Sequence, residues 1–233
     1  MKGDKKACRY LLLSIIPVLL TAGVFCFFLK PLPIKIDSIP PGLSPLSLSP
    51  VEKIPPEERN TCDLILLGAR EEVKKKTRYN AAYQAIDYPE GDLNPERGAC
   101  TDVIVRALRS AGYDLQQLIH EDMCVNFDLY PQFWGASGPD PNIDHRRTQN
   151  QIVFFERFGE SLSLDISNED LAEWEHGDFV YWQFPGGQQH TGVISDRTGP
   201  RGLPLVIHNC SVAREEDCLL RWKIIGHYRF PKP

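Results

Sequence analysis

The chain has 233 residues, of which 42% are hydrophobic and 24% charged, with a net charge of −5 at pH 7. That mix suits one globular domain with additions. It excludes nucleic-acid binding through a global basic field, and no repeat of 20–50 residues marks a solenoid or propeller.

Residues 1–9, MKGDKKACR, form a basic flank. Residues 10–29, YLLLSIIPVLLTAGVFCFFL, carry no charge and are long enough to cross a bilayer as a helix. The flank predicts a cytoplasmic N-terminus, with the rest of the chain outside. The run lacks the small-residue cut site of a cleaved signal, so an uncleaved signal anchor is expected over a removed one. Phe25 before Cys26 is too bulky for a lipoprotein signal. Residues 30–60 are rich in proline, which lacks an amide donor and favours extended chain, so they read as a semi-stiff tether. One domain is expected over 61–233, long enough to bury a core.

Within that domain, 61-TCDLILLGAREEVKKK-76 predicts a helix with an apolar stripe and a basic last turn. Residues 79–99 read as a loop. A helix follows over 101–123, broken at Gly112 and resumed from Asp114. Residues 134–147 form a polar loop, and a helix is expected at 148–158. The pattern then turns to strands: 179–184, the run HTGVISD from His190, 205–209, and 222–230. Helices first and an antiparallel meander second give an α+β fold.

Of the seven cysteines, Cys8 and Cys26 lie before or within the apolar run. The exported five are Cys62, Cys100, Cys124, Cys210 and Cys218, an odd number in a compartment that permits disulfides. Cys210 and Cys218 close a short loop and are the expected pair, with Cys62 and Cys124 as a second candidate pair. Cys100 is left over, at the head of a helix whose free amides favour a thiolate. A thiol nucleophile needs a base and an orienting group. His190 opens a strand, and His208 and Asn209 end another; neighbours on a strand face opposite ways, so only one of the two can orient His190.

A cysteine on a helix, a histidine on a strand and a polar residue on the next resembles the papain-fold superfamily, and the NlpC-like cell-wall cysteine peptidases within it. The blocks GACTDVIVRALR, PDPNIDHRR, GDFVYW, HTGVISD, VIHN and WKIIGHYR resemble more closely a bacterial exported family of unknown function in that superfamily. The resemblance spans about residues 61–231. It implies a papain-like fold, with a Cys-headed helix packed on an antiparallel sheet, and a bacterial inner-membrane or periplasmic setting. It implies Cys100 as nucleophile, His190 as general base and His208 as third residue, with Asn209 as alternative. The Cys100 amide is the natural oxyanion donor.

The expected reaction is amide hydrolysis. Its expected partner is peptidoglycan stem peptide or another exported amide, with membrane contact through residues 10–29, no nucleic acid and no cofactor. Asp144, His145, Arg146 and Arg147 form a charge-dense patch that reads either as a solvated loop or as a clamp for stem-peptide carboxylates. Asp102 and Arg106 read as a helix ion pair or as cleft lining, and Tyr83 as cleft wall. His227 reads as structural, His120 and His176 as surface or capping residues. Three competing functions are an acyltransferase using the same pair, a zinc amidase built on Cys100, His190 and His208, and a non-catalytic wall-binding module. No H-E-x-x-H or C-x-x-C motif supports zinc.

Overall fold

The computed structural model describes residues 48–167 and 170–232, the side chain of Trp134 excepted. The expected flank, anchor and most of the linker lie outside the described residues. Among the described residues no helix is long and apolar enough to cross a membrane.

The folded unit begins earlier than residue 61, which corrects the expected boundary. Val51 is buried, and its amide donates to Asp196 Oδ2 at 2.8 Å. Ser49 is buried beside the Arg70 guanidinium, which also meets Ser195, Asp196 and Glu215. Proline-rich text reads as tether, but here an apolar anchor and a buried charge cluster hold its C-terminal end to the domain.

The first helix, α1 (Thr61–Lys75), starts in a capping box: Asn60 accepts from the Asp63 amide at 2.9 Å and Asp63 accepts from the Asn60 amide at 2.8 Å. Its Ile65, Leu66 and Ala69 are fully buried. The segment expected as loop carries two short parallel strands, β1 (Arg78–Tyr79) and β2 (Arg97–Gly98). Next come α2 (Cys100–Ser110), α3 (Leu115–Asn126) and α4 (Thr148–Phe158). Gly112 lies between α2 and α3 at φ 86°, a left-handed position where glycine carries no steric cost. Asp114 then caps α3 through the Gln116 amide.

The remaining strands are β3 (Glu160–Ser161), β4 (Phe179–Gln183), β5 (Gln189–Thr198), β6 (Pro204–Asn209), β7 (Ala213–Glu216) and β8 (Lys223–Arg229). They form one antiparallel sheet in the order β3-β8-β4-β5-β6-β7. The α+β expectation holds. Strand alternation splits the core in two. Phe179, Tyr181, Val193, Ile207 and Tyr228 pack with the helices, where Phe155, Ile104 and Leu108 fill the layer. Val180, Trp182, Ile194 and Val206 face the other way and pack with Trp174, Cys218 and Leu219. Each fully buried large apolar side chain stabilises the fold by roughly 1.5–3 kcal/mol. This two-sided sheet decides which site residues meet.

Candidate active site

Cys100 is the first residue of α2, as expected. The Asp102 carboxylate accepts from the Ala99 amide at 2.6 Å, which fixes the helix start. The thiol is 5% exposed. Burial pushes it up to about 12, against the opposing effect of the Thr191 and Thr101 amides that point at the sulfur. Helix-head position therefore does not make this thiol acidic, because desolvation outweighs the dipole.

His190 belongs to the other face. It pairs across the sheet with Trp182 and is walled by the rings of Trp182, Phe184 and Trp222. Its neighbour Thr191 takes the helix side, opposite Tyr181. Among the described residues no hydrogen bond joins Cys100 to His190 or His208. What the structure brings together is a different set. His190 Nε2 lies 2.8 Å from His208 Nδ1, and His208 Nε2 lies 2.9 Å from Glu216 Oε1. Arg221 holds the same carboxylate oxygen at 2.6 Å. Cys210 Sγ sits 3.3 Å from His190 Nε2 and 3.6 Å from His208 Nδ1.

The expected Cys210–Cys218 disulfide is absent, and Cys62 and Cys124 are also free. The physical reason is the strand β7, which separates the two loop cysteines. Cys210, just past β6, turns its exposed sulfur to the imidazoles. Cys218 is buried in the apolar cluster with Trp182 and Leu219.

His190 and His208 are both buried, and His190 is pushed down to about 3 by burial and then by His208. His208 is lowered by burial, which Glu216 partly offsets. Glu216 is lowered: burial opposes this, but the Arg221 and His208 hydrogen bonds outweigh it. Cys210 is raised by burial and by the nearby Glu216 charge. At neutral pH the rings are uncharged and the carboxylate charged. Glu216 then accepts a hydrogen bond from His208 Nε2–H, which leaves the Nδ1 lone pair facing His190. The sulfur and two ring nitrogens converge on one point, a geometry that also suits a metal ion.

Asn209 is not part of this set. Its side chain donates to Gly98 O at 2.9 Å and Thr77 O at 3.2 Å on the helix side, opposite His208 as strand alternation requires. An open cleft of about 560 Å³ is lined by Phe184, Trp222, Arg221 and Lys223, and the first two rings also wall His190.

Most of the other expected cleft residues are held in ion pairs and hydrogen bonds within the fold. Asp102 and Arg106 do not pair with each other. Arg146 grips Asp102 at 2.8 Å and reaches the Asn80 and Ala82 carbonyls. Arg106 joins Glu72 at 2.6 Å and Asp92 at 2.9 Å. Asp144, His145 and Arg146 are buried, Asp144 accepting from the Asp140 amide at 2.5 Å and His145 pushed by burial down to about 3. Burial of these three side chains overturns the solvated-loop reading. The patch locks α2 and α4 to the loop around Asn80. Arg147 is half-buried and Tyr83 exposed. His227 is structural as expected, stacked on Trp174 and bonded to Asp178 at 3.0 Å. His176 holds the capping residue Asp63 at 2.8 Å.

Sequence reading missed Cys210 as a site residue, and missed Glu216. The available signal for Cys210 was its place two residues past His208; Glu216 emerges only from the register of β7, where His208 pairs with Arg214 and Glu216 lies two residues further along the same face.

The chain is 44% identical over 174 residues to the Uncharacterized protein YijF of Escherichia coli (strain K12), covering 74% of this chain and 83% of that protein. No solved structure matches it. The profile of the family named Domain of unknown function (DUF1287) matches residues 66–230, and the chain belongs to that family.

Proposed function

We propose that the chain is an exported cysteine hydrolase that cuts an amide bond, anchored to a bacterial inner membrane by residues 10–29. Peptidoglycan stem peptide is the favoured substrate. A papain-like, NlpC-like ancestry of the helix-on-sheet fold is part of this reading. The observation that carries it is the chain of contacts from Cys210 Sγ through His190 and His208 to Glu216, at 3.3, 2.8 and 2.9 Å. A thiol, a base and an orienting group are the elements that thiol catalysis needs.

The protons are accounted for as follows. At rest His190 Nε2–H donates to His208 Nδ1 and His208 Nε2–H donates to Glu216. On attack the Nε2 proton passes to His208 Nδ1, and the freed Nε2 takes the Sγ proton. Glu216 offsets the charge from behind. The thiolate attacks the carbonyl, the proton passes to the leaving amine, and water releases the acyl group. Because burial disfavours charge on both Cys210 and His190, the resting pair is neutral and the proton moves only on attack. Arg221 and Lys223 in the cleft lining suit a substrate that carries carboxylates.

A second reading keeps Cys100 as nucleophile. One observation favours it: the sulfur heads α2, with the Thr101 and Thr191 amides around it. The two readings separate on one experiment. Purified peptidoglycan is incubated with the full chain in detergent, and released fragments are identified by mass. Under the first reading Cys210→Ala abolishes release and Cys100→Ala retains it. The opposite result moves the nucleophile to Cys100. Unchanged release in both variants, or none from the wild type on any wall peptide, ends the proposal.

A further inference from the structure

The structure assigns a metal site that the thiol reading does not use: we propose that His190 Nε2, His208 Nδ1 and Cys210 Sγ bind a single Zn²⁺, with Glu216 fixing His208 from behind. These three atoms all lie within 4.8 Å of one another. They come from two strands and the loop just past β6, so no local motif announces them. They have one inward position between them, which a single proton or a single cation can fill.

The chemistry of the donors selects the ion. Two imidazoles and a thiolate suit zinc, a borderline-soft ion, over magnesium or calcium. Bond lengths near 2.0–2.1 Å to nitrogen and 2.3 Å to sulfur set tetrahedral ligands roughly 3.3 Å apart for N–N and roughly 3.5 Å for N–S. The observed spacings are 2.8 Å between nitrogens, and 3.3 and 3.6 Å from nitrogen to sulfur. The rings therefore need to part by about half an ångström as the shared proton leaves. Glu216 makes the outer contact that metal-bound histidines usually have, at 2.9 Å on the far nitrogen. Cys210 is exposed, which gives the ion a way in, and three protein ligands leave a fourth position open.

A second triplet, His208, Glu216 and Cys218, is also within reach of one ion. It would take the His208 nitrogen that Glu216 already holds, and Cys218 is wholly buried. The first triplet keeps the Glu216 contact and has solvent access, so it is the one assigned. Zinc there occupies the sulfur and both imidazoles, so the metal-bound form cannot run the thiol reaction. The site itself rests on geometry and not on that reaction.

The test is a titration of the metal-free full chain in detergent with Zn²⁺ and, separately, with Co²⁺. One equivalent should bind. The Co²⁺ form should show the strong visible bands of a four-coordinate ion and a sulfur-to-cobalt charge-transfer band, both lost on adding Zn²⁺. Cys210→Ser should remove the charge-transfer band and weaken binding at least about tenfold, and Glu216→Gln should weaken it about 10–100-fold. Cys100→Ala and Cys218→Ala should change neither the band nor the affinity. Absence of saturable binding would overturn the assignment, as would wild-type affinity in Cys210→Ser. Loss of the band in Cys218→Ala, with Cys210→Ser normal, would move the ion to the second triplet and overturn it equally. These readouts need no turnover: a chain that binds zinc but, freed of it, cuts no peptidoglycan removes the hydrolase reading alone, and an active hydrolase that shows no saturable zinc binding removes the metal site alone.

Discussion

Two cysteines, Cys100 and Cys210, lie in surroundings that differ from those their sequence contexts suggest. Cys100 stands where a reactive thiol is expected, first in a helix after a glycine-containing turn. Cys210 stands in a polar loop that reads as half of a disulfide. Yet Cys100 is 5% exposed and pushed up to about 12, whereas Cys210 is exposed and touches an imidazole. A helix N-terminus favours a thiolate by a few tenths to about 2 kcal/mol, and full desolvation of a charge costs more than that. A helix head makes a reactive thiol only where its gain exceeds the cost of desolvation, and at Cys100 desolvation is the larger.

The largest effect that tests this contrast is alkylation. Site-mapped iodoacetamide labelling at pH 8 should modify Cys210 at least about 100-fold faster than Cys100, since the thiolate alone reacts and access is required. Equal rates would erase the distinction; faster Cys100 labelling would reverse it.

Turnover is next. His190→Ala should remove nearly all hydrolysis, and His208→Ala should leave a measurable fraction, because an unoriented imidazole still finds a usable pose part of the time. Asn209→Ala should be milder in turnover than His208→Ala, since Asn209 faces the helices. A larger loss in Asn209→Ala than in His208→Ala would point to chemistry on the Cys100 face.

A third experiment concerns the helix side as scaffold. Arg146→Ala leaves the Asp102 carboxylate buried and unpaired and should cost about 3–5 kcal/mol in unfolding free energy. Denaturant unfolding measures it. A change under 1 kcal/mol, with a loss of substrate affinity instead, would support the clamp role for this patch.

The smallest effect is in pH dependence. His190 and His145 are each lowered to about 3 in the fold, against an ordinary value near 6.5. Below that ordinary value the unfolded chain takes up protons that the native rings refuse. Stability present above about pH 6.5 is therefore lost as pH falls from about 6.5 toward 3, by at most about 1.4 kcal/mol per pH unit for each ring. Between pH 6.5 and 5, His145→Gln should flatten the slope by one proton while leaving the thiol site's behaviour unchanged. An unaltered slope would mean that His145 titrates normally.

Much of the fold was legible because hydrophobic period survives in the text. The stripe in α1, the break at Gly112 and the alternation in FVYWQ each reflect one face meeting a core. The strand β7 was not legible. Its residues, Ala213-Arg-Glu-Glu216, form an edge strand whose polar side chains serve the Arg70 and His208 clusters, so it carries no apolar alternation. The His190–His208 contact was anticipated, whereas Glu216 needed the register of that unread strand.

The sequence alone determined the membership in DUF1287, the helix-then-strand order, and the alternation that sends His208 and Asn209 to opposite faces. These follow from local chemistry: side-chain period and turn residues act within a few positions. Only the tertiary structure decided which thiol meets the histidines, that the 210 and 218 sulfurs stay apart, and that the charged patch at 144–146 is buried. Those outcomes depend on which face of the sheet each strand residue takes and on what packs over it. Desolvation, which sets the thiol and imidazole protonation, is a property of that packing and of no residue by itself.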